Sequence, residues 1–294
     1  MDSGSTPDVS TKNHLNYLIR NASVQFIKLT TIYLLTTLTL FGASTTCKGI
    51  YFLNTAPDFL NTKLKAKTKE LCFAEFAIMH SGVSKTPLWS AQHLTKDMLI
   101  RKGSRSTNFH AEERLHENER AEIIDYIGAH FDRGQLSSST NFSDDIAYKE
   151  SFSLANIVPQ NHTNRVGVWA KIGENINTLV KKYGEVYVIS GPLFLSNTPE
   201  RIHNKVLVPT KLFKAIYVPS TGEGSAYLTK NTMDKEYEVI GIAELEKISG
   251  ISFFPRMNMN AKMFVMDLPT IENSKDKSSQ WKSMTKENIS KDHL

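Results

Sequence analysis

Three side chains that could take part in chemistry lie close together in the segment FDRGQLSSSTNF, residues 131–142. Asp132 is an acid, Arg133 carries a planar cation that suits phosphate or carboxylate, and Gln135 follows after one glycine. A proton-accepting side chain at position 135 would make this set catalytic. Gln135 is a neutral amide, which can orient a water molecule but does not take a proton at pH 7. The segment is therefore a candidate catalytic centre that lacks a proton acceptor at position 135.

A strand, a loop and a helix must position these side chains. Residues 130–136 are predicted to form a strand, and a serine-rich loop follows at 137–145. Between 164 and 183, apolar residues recur at spacings of three and four, which predicts a helix with one apolar face that ends at Gly184. The fold class is therefore α+β, with this strand–loop–helix unit at its centre. Further predicted elements are strands at 186–190, 206–208 and 212–218 and a short helix at 244–248.

Length and composition are compatible with one globular domain and say little about function. The chain has 294 residues, of which 40% are hydrophobic and 22% charged, and its net charge is +5. This mild positive charge permits nucleic-acid binding without requiring it. Residues 1–23 are polar, the main domain is predicted at 68–270, and the serine-rich, charged tail at 271–294 is predicted to be disordered.

The segment 24–46 predicts export from the cytoplasm. Its apolar run from Leu29 to Gly42 is too short for a typical membrane span, which needs about 20 residues, and suits a signal peptide followed by small residues. An uncleaved signal anchor at 24–44 is the alternative, and the expected location is periplasmic or secreted. Cys47 and Cys72 could form one disulfide in an oxidising compartment or remain two isolated thiols.

Several motifs around the central unit carry a family resemblance. FDRG at 131–134 is followed by SFSLANIVPQ at 151–160, by Trp169, and by SGPLF at 190–194. Over roughly residues 70–256, the chain resembles the DNA/RNA non-specific endonucleases, the ββα-metal group that includes the Serratia nuclease and endonuclease G. It is most similar to the exported bacterial members. The resemblance implies a ββα-metal (His-Me finger) fold with a mixed antiparallel sheet.

The same resemblance implies an activity and a set of residue roles. The family cuts DNA or RNA phosphodiester bonds with little regard for sequence and leaves 5′-phosphates. By position, Arg133 would grip the scissile phosphate, Asp132 would shape the site, and Asn156 would support the reacting centre. The family has a histidine base where this chain has Gln135. His162, on the loop before the helix, could lie nearer than other histidines.

The family's metal ligand is also displaced in this chain. Its asparagine position, four residues before the helix tryptophan, holds Arg165, and Asn164 is one position away. The family's helix glutamate position holds Gly173, and Glu174 is again one position away. Asn164 and Glu174 are therefore the candidate ligands for the implied Mg²⁺ ion, although one shift of register cannot align both. Arg165 predicts a second guanidinium that would hold phosphate together with Arg133.

Three functions follow from these features. The first is a metal-dependent endonuclease in which Gln135 orients the attacking water. The second is a pseudo-nuclease that binds DNA or RNA through the backbone without cutting it, and the third is an interaction domain that keeps only the fold. A set of lysines could line a phosphate track or be ordinary surface charges: Lys181, Lys182, Lys205, Lys211 and Lys214.

Overall fold

A large mixed sheet forms the centre of the protein. The structure, a computed structural model, describes residues 45–99, 108–142, 144–272, 274–276 and 278. The strands are β1 Asp58–Phe59, β2 Thr68–Cys72, β3 Phe76–Ser81, β4 Thr86–Thr95, β5 Asp132–Gln135, β6 Ile157–Gln160, β7 Glu185–Leu193, β8 Arg201–Ile202, β9 Val206–Leu207, β10 Lys211–Val218, β11 Glu223–Lys230, β12 Glu236–Gly241, β13 Ile251–Ser252 and β14 Lys275–Asp276. Eight of them hydrogen-bond in the order β14-β12-β11-β10-β7-β4-β3-β2, and all neighbours are antiparallel except the parallel pair β12 and β14.

Among the described residues, the α-helices are short apart from one, which covers the sheet. They are α1 Asp145–Glu150, α2 His162–Asn164, α3 Ala170–Tyr183, α4 Ile242–Ser249 and α5 Met259–Met263, and a π-helical turn, Arg165–Trp169, joins α2 to α3. Among the described helices, none combines the length and the apolar character that a membrane span requires.

Both faces of the sheet are buried, and alternation along β10 shows why. Leu212 and Ile216 pack in the cluster beneath α3, whereas Phe213 and Tyr217 pack in the cluster on the opposite face. Because successive side chains of a strand point to opposite faces, Lys214 shares the α3 side with Leu212 and Ile216. The predicted α+β class and its strand–loop–helix unit are confirmed.

The predicted central unit is present with adjusted bounds. β5 pairs antiparallel with β6, so that Gln135 lies opposite Ile157. The predicted helix at 164–183 forms, but it begins through the π-helical turn, in which Gly167 departs from helical dihedral angles. It ends as predicted at Gly184, whose φ of 95° suits a residue without a side chain.

The folded unit extends beyond the predicted domain on both sides. Cys47 forms a disulfide with Cys72, and β1 pairs with β13, so residues 45–67 pack onto the domain predicted to start at 68. At the other end Ile271 is buried and β14 pairs with β12. The first residues of the predicted disordered tail therefore belong to the sheet. Of the predicted signal segment at 24–46, residues 24–44 lie outside the described residues.

Candidate active site

A cleft of about 650 Å³ opens where β5, the loop after it and α3 meet. Arg133 and Gln135 point into it from β5, since they are two residues apart on one strand face. The side chain of Asp132, the residue before Arg133, points to the opposite face of β5. Helix and sheet supply further lining side chains, namely Arg165, Trp169, Glu174 and Lys214. The structure thus brings four of the predicted site residues to one cleft, Arg133, Gln135, Arg165 and Glu174.

Neighbouring groups fix the orientation of the Gln135 amide. Its Nε2 donates to the Ser151 carbonyl oxygen at 3.0 Å and to Ser151 Oγ at 3.2 Å. Its Oε1 accepts only a long hydrogen bond, 3.4 Å, from the backbone N–H of Ser139. The main-chain oxygen of Gln135 accepts from Trp169 Nε1 at 3.2 Å. The amide oxygen therefore keeps capacity to accept a hydrogen bond from a water molecule.

The Asp132 carboxylate orients two groups from the start of the helix. Its Oδ2 accepts from Arg165 Nε at 2.6 Å and lies 2.7 Å from His162 Nδ1. Partial burial by itself would raise the pKa of this carboxyl, but the hydrogen bonds and charges of Arg165 and His162 outweigh it and lower the pKa below its ordinary value. Asp132 thus binds the Nε atom of Arg165, and the two terminal nitrogens of Arg165 stay available for a ligand in the cleft.

Arg133 supplies the second guanidinium of the cleft. It is exposed, and its Cζ lies 4.5 Å from the centre of the Phe109 ring. A cation stacked on an aromatic face is held in place without losing its hydrogen-bond donors. Arg133 and Arg165 are therefore both oriented, one by a ring and one by a carboxylate, and both line the cleft.

Asn156 lies beneath the cleft and is fully buried. Its Oδ1 accepts from the Ser137 N–H at 3.0 Å and from Ser90 Oγ at 3.1 Å. Its Nδ2 donates to the carbonyl oxygens of Ser137 at 2.8 Å and Ser151 at 2.9 Å. All the hydrogen-bonding groups of this amide are used. Asn156 thus supports the backbone that carries Gln135, and its part in the chemistry stays a prediction.

The side chain of Asn164, a predicted metal ligand, makes its hydrogen bonds within the protein. The side chain is fully buried, and its Oδ1 accepts from Gln160 Nε2 at 2.7 Å. Its Nδ2 donates to Thr229 Oγ1 at 2.9 Å and to the Lys230 carbonyl oxygen at 2.8 Å. The amide thus faces β11, away from the cleft. Asn161 caps this helix start by accepting from the Asn164 N–H.

The helix start does not fit the hydrated Mg²⁺ ion that the resemblance implies. The Asn164 amide is turned inward, and Arg165 brings a positive charge to the cleft instead of an oxygen ligand. Glu174 does line the cleft, but it is exposed and offers a single carboxylate. Gly173, one residue earlier, has open space where a side chain would begin. The positive charge at the family's metal-ligand position is therefore the guanidinium of Arg165.

The two cysteines do not provide a metal site either. Within the described part of the chain, the one group of His, Cys, Asp and Glu side chains close enough to share an ion is Cys47, Glu70 and Cys72. Its two sulfur atoms are joined in a disulfide, so they cannot act as thiolate ligands. Of the two alternatives for the cysteines, the structure shows the disulfide.

Three lysines of the predicted phosphate track are paired or buried in the structure, and the track itself stays a prediction. Lys205 pairs with Asp125, and Lys211 pairs with Glu238. Lys214 lines the cleft, but it is 4% exposed and belongs to the sheet. A signal for this burial was present, because Lys214 alternates with apolar residues along β10. The stacking of Phe109 on Arg133 of β5 could not be predicted from the spacing of residues in the sequence.

The fold and the cleft define a class of protein. An antiparallel strand pair followed by a helix is a ββα arrangement, and the oriented guanidinium groups at its junction suit an anionic ligand. The family model for DNA/RNA non-specific endonucleases matches residues 56–260, most of the chain. The chain therefore belongs to the DNA/RNA non-specific endonuclease family, whose members are divalent-metal-dependent nucleases.

Named relatives and a solved structure agree with this family. Nuclease EXOG, mitochondrial, of Mus musculus is 29% identical over 217 residues, which are 66% of this chain and 59% of that protein. Endonuclease G, mitochondrial, of Bos taurus is 29% identical over 205 residues, 63% of this chain and 68% of that protein. The chain thus spans less than two thirds of the EXOG relative's length. A crystal structure of the EndoG/EndoGI complex is similar in fold, with a TM-score of 0.60 at 21% identity, covering 70% of this chain and 96% of that chain.

Proposed function

We propose that this chain is an endonuclease that binds the DNA or RNA backbone in the cleft and hydrolyses its phosphodiester bonds. The observation that supports this most directly is the pair of oriented guanidinium groups, Arg133 and Arg165, in the same cleft as Gln135. Guanidinium groups bind the non-bridging oxygens of phosphate in pairs and stabilise the charge that develops as the phosphorus is attacked. Recognition through the backbone explains a substrate class that includes both DNA and RNA.

The residues present suggest how water would be delivered. The Gln135 amide is anchored through Nε2 to Ser151, so its Oε1 can accept one hydrogen of a water beside the phosphate. That water attacks phosphorus and the bond to the 3′-oxygen breaks. The leaving 3′-oxygen takes a proton from solvent and becomes a hydroxyl, and the other product carries a 5′-phosphate. Gln135 positions the water but does not remove its proton, which passes to bulk solvent. We therefore expect slow turnover compared with a site that has a histidine base.

Backbone binding without cleavage is a second candidate, and a specific observation favours it. Asn164 is turned inward and Arg165 fills the ligand position, so the cleft holds phosphate better than it holds Mg²⁺. On this alternative the two arginines bind nucleic acid and no bond is broken.

Two assays on the same preparations separate these candidates. Plasmid nicking between pH 6 and 9 with Mg²⁺, and with EDTA as control, reports hydrolysis. Fluorescence anisotropy with a labelled oligonucleotide at several salt concentrations reports binding. We expect Arg133→Ala and Arg165→Ala each to weaken binding by about tenfold or more. Lys181→Ala, an exposed lysine on α3, is the matched control and should bind like wild type.

The outcomes assign the function. Nicking that is lost in both arginine variants supports the endonuclease. Salt-dependent binding without nicking at any pH supports the binder. Absence of both activities from the folded wild-type protein would contradict both proposals.

We also propose that the protein is exported, to a periplasmic or extracellular location. The apolar segment at 24–44 and the disulfide between Cys47 and Cys72 support this, because disulfides persist mainly in oxidising compartments. Cell fractionation with N-terminal sequencing of the mature protein tests it. Recovery of the full-length chain from the cytoplasm with free thiols would refute export.

A further inference from the structure

Lys214 is a buried cation at the wall of the cleft. It is 4% exposed, it lines the cleft, and it lies on the face of β10 beneath α3. The groups that face it from neighbouring elements are Ser190 of β7, the Leu136 carbonyl and the Trp169 ring, all neutral. The charged groups of the same cleft are Arg133, Arg165 and Glu174.

The surroundings of Lys214 match an ammonium group. Its Nζ donates to the Leu136 carbonyl oxygen at 3.0 Å and to Ser190 Oγ at 3.1 Å, and it lies 4.1 Å from the centre of the Trp169 ring. An ammonium has three N–H bonds, one for each of these three partners. A neutral amine has two and loses the attraction of a cation for the ring face.

These contacts converge on the segment that carries Gln135. Trp169 Nε1 donates to the Gln135 carbonyl oxygen, and Lys214 donates to the next carbonyl oxygen, that of Leu136. The indole ring and the ammonium also contact each other. Two consecutive carbonyl groups are thus held by two donors that depend on one another.

We propose that Lys214 is a positioning residue whose protonated ammonium group holds Gln135 and Leu136 against the central sheet. It acts through Trp169 and the backbone and does not contact the substrate. The role of the cleft in nucleic-acid binding rests on the proposed function, whereas the positioning contacts do not.

A pH dependence follows from this role. Burial lowers the pKa of Lys214 from 10.5 to about 7. As the pH rises through the pKa, the ammonium loses a proton, one of the three contacts fails, and the cleft loses a positive charge. Nucleic-acid affinity should therefore decrease with rising pH, whereas a general base would give a rate that increases.

The indole N–H signal of Trp169 in ¹⁵N-correlated NMR spectra tests the positioning contacts without any substrate. Trp169→Phe assigns this signal. In wild type it should shift with a midpoint at about pH 7, the pKa of Lys214. Lys214→Met should remove this transition and displace the signal already at pH 6. Lys211→Met is the matched control on the same strand, since Lys211 pairs with Glu238 instead, and it should titrate like wild type.

Oligonucleotide anisotropy supplies the second measurement. Wild-type affinity should decrease about fivefold from pH 6.5 to 8.5, and Lys214→Met should show the weaker affinity at both pH values. If Lys214→Met does not fold, two measurements replace that variant. One is the titration of the Lys214 ¹³Cε signal in wild type, and the other uses Lys214→Arg, which keeps the cation.

An indole signal of Trp169 that stays at its wild-type position in Lys214→Met would overturn the proposal. A wild-type protein without any transition of this signal between pH 6 and 9 would overturn its pH dependence. If the indole transition occurs as expected but no oligonucleotide binds, the proposed function is wrong while the positioning role stands.

Discussion

Replacement of Asn164 by alanine tests whether the side-chain amide of Asn164 stabilises the fold or binds a metal ion. The buried side chain makes three hydrogen bonds, to Gln160, Thr229 and the Lys230 carbonyl oxygen. At about 1 kcal/mol for each net hydrogen bond, Asn164→Ala should lower the free energy of unfolding by about 3 kcal/mol. For a folded unit of this size, that corresponds to a decrease in Tm of about 6 to 12 °C.

Urea denaturation followed by far-UV circular dichroism, with EDTA or with Mg²⁺, measures this effect. We expect the same loss under both conditions, because the contacts are within the protein. Glu174→Ala is the control, since Glu174 is exposed and its removal should change stability by less than about 0.5 kcal/mol. The reasoning is refuted if Asn164→Ala is as stable as wild type in EDTA and loses only a stabilisation by Mg²⁺.

Two further predictions concern the cleft and the disulfide. The combined variant Gln135→His, Arg165→Asn and Gly173→Glu should gain Mg²⁺-dependent plasmid nicking over wild type. The histidine supplies a base, and the asparagine and glutamate supply oxygen ligands, the glutamate in the open space at Gly173. A folded variant with no gain would contradict the family-based roles. Reduction of the disulfide between Cys47 and Cys72, 25 positions apart, should lower the free energy of unfolding by about 3 kcal/mol in urea titrations with and without dithiothreitol. An unchanged midpoint would contradict this.

The sequence predicted those parts of the site that depend on local periodicity. The apolar stripe of the helix follows from the helical repeat, and its end follows from Gly184, which adopts a positive φ without strain. Such patterns are set by neighbours along the chain, and the structure reproduces them.

The parts that could not be predicted depend on contacts between distant segments. The inward rotation of Asn164 follows from partners on β11, 65 and 66 positions away. The pairing of Asp132 with Arg165 spans 33 positions. The start of the domain was placed too late because β1 is only two residues long and gains its pairing from β13. None of these contacts leaves a periodic trace.

The π-helical turn at Arg165–Trp169 has a genetic consequence. A π-turn contains one residue more than an α-helical turn, and here it separates Asn164 from Trp169 by five positions. Loss of the Arg165 codon would leave four positions, the spacing of the family's metal ligand, and would rotate Asn164 by about 100° relative to α3. Deletion of the Arg165 codon would therefore restore the family spacing of Asn164 and remove one guanidinium from the cleft in a single step.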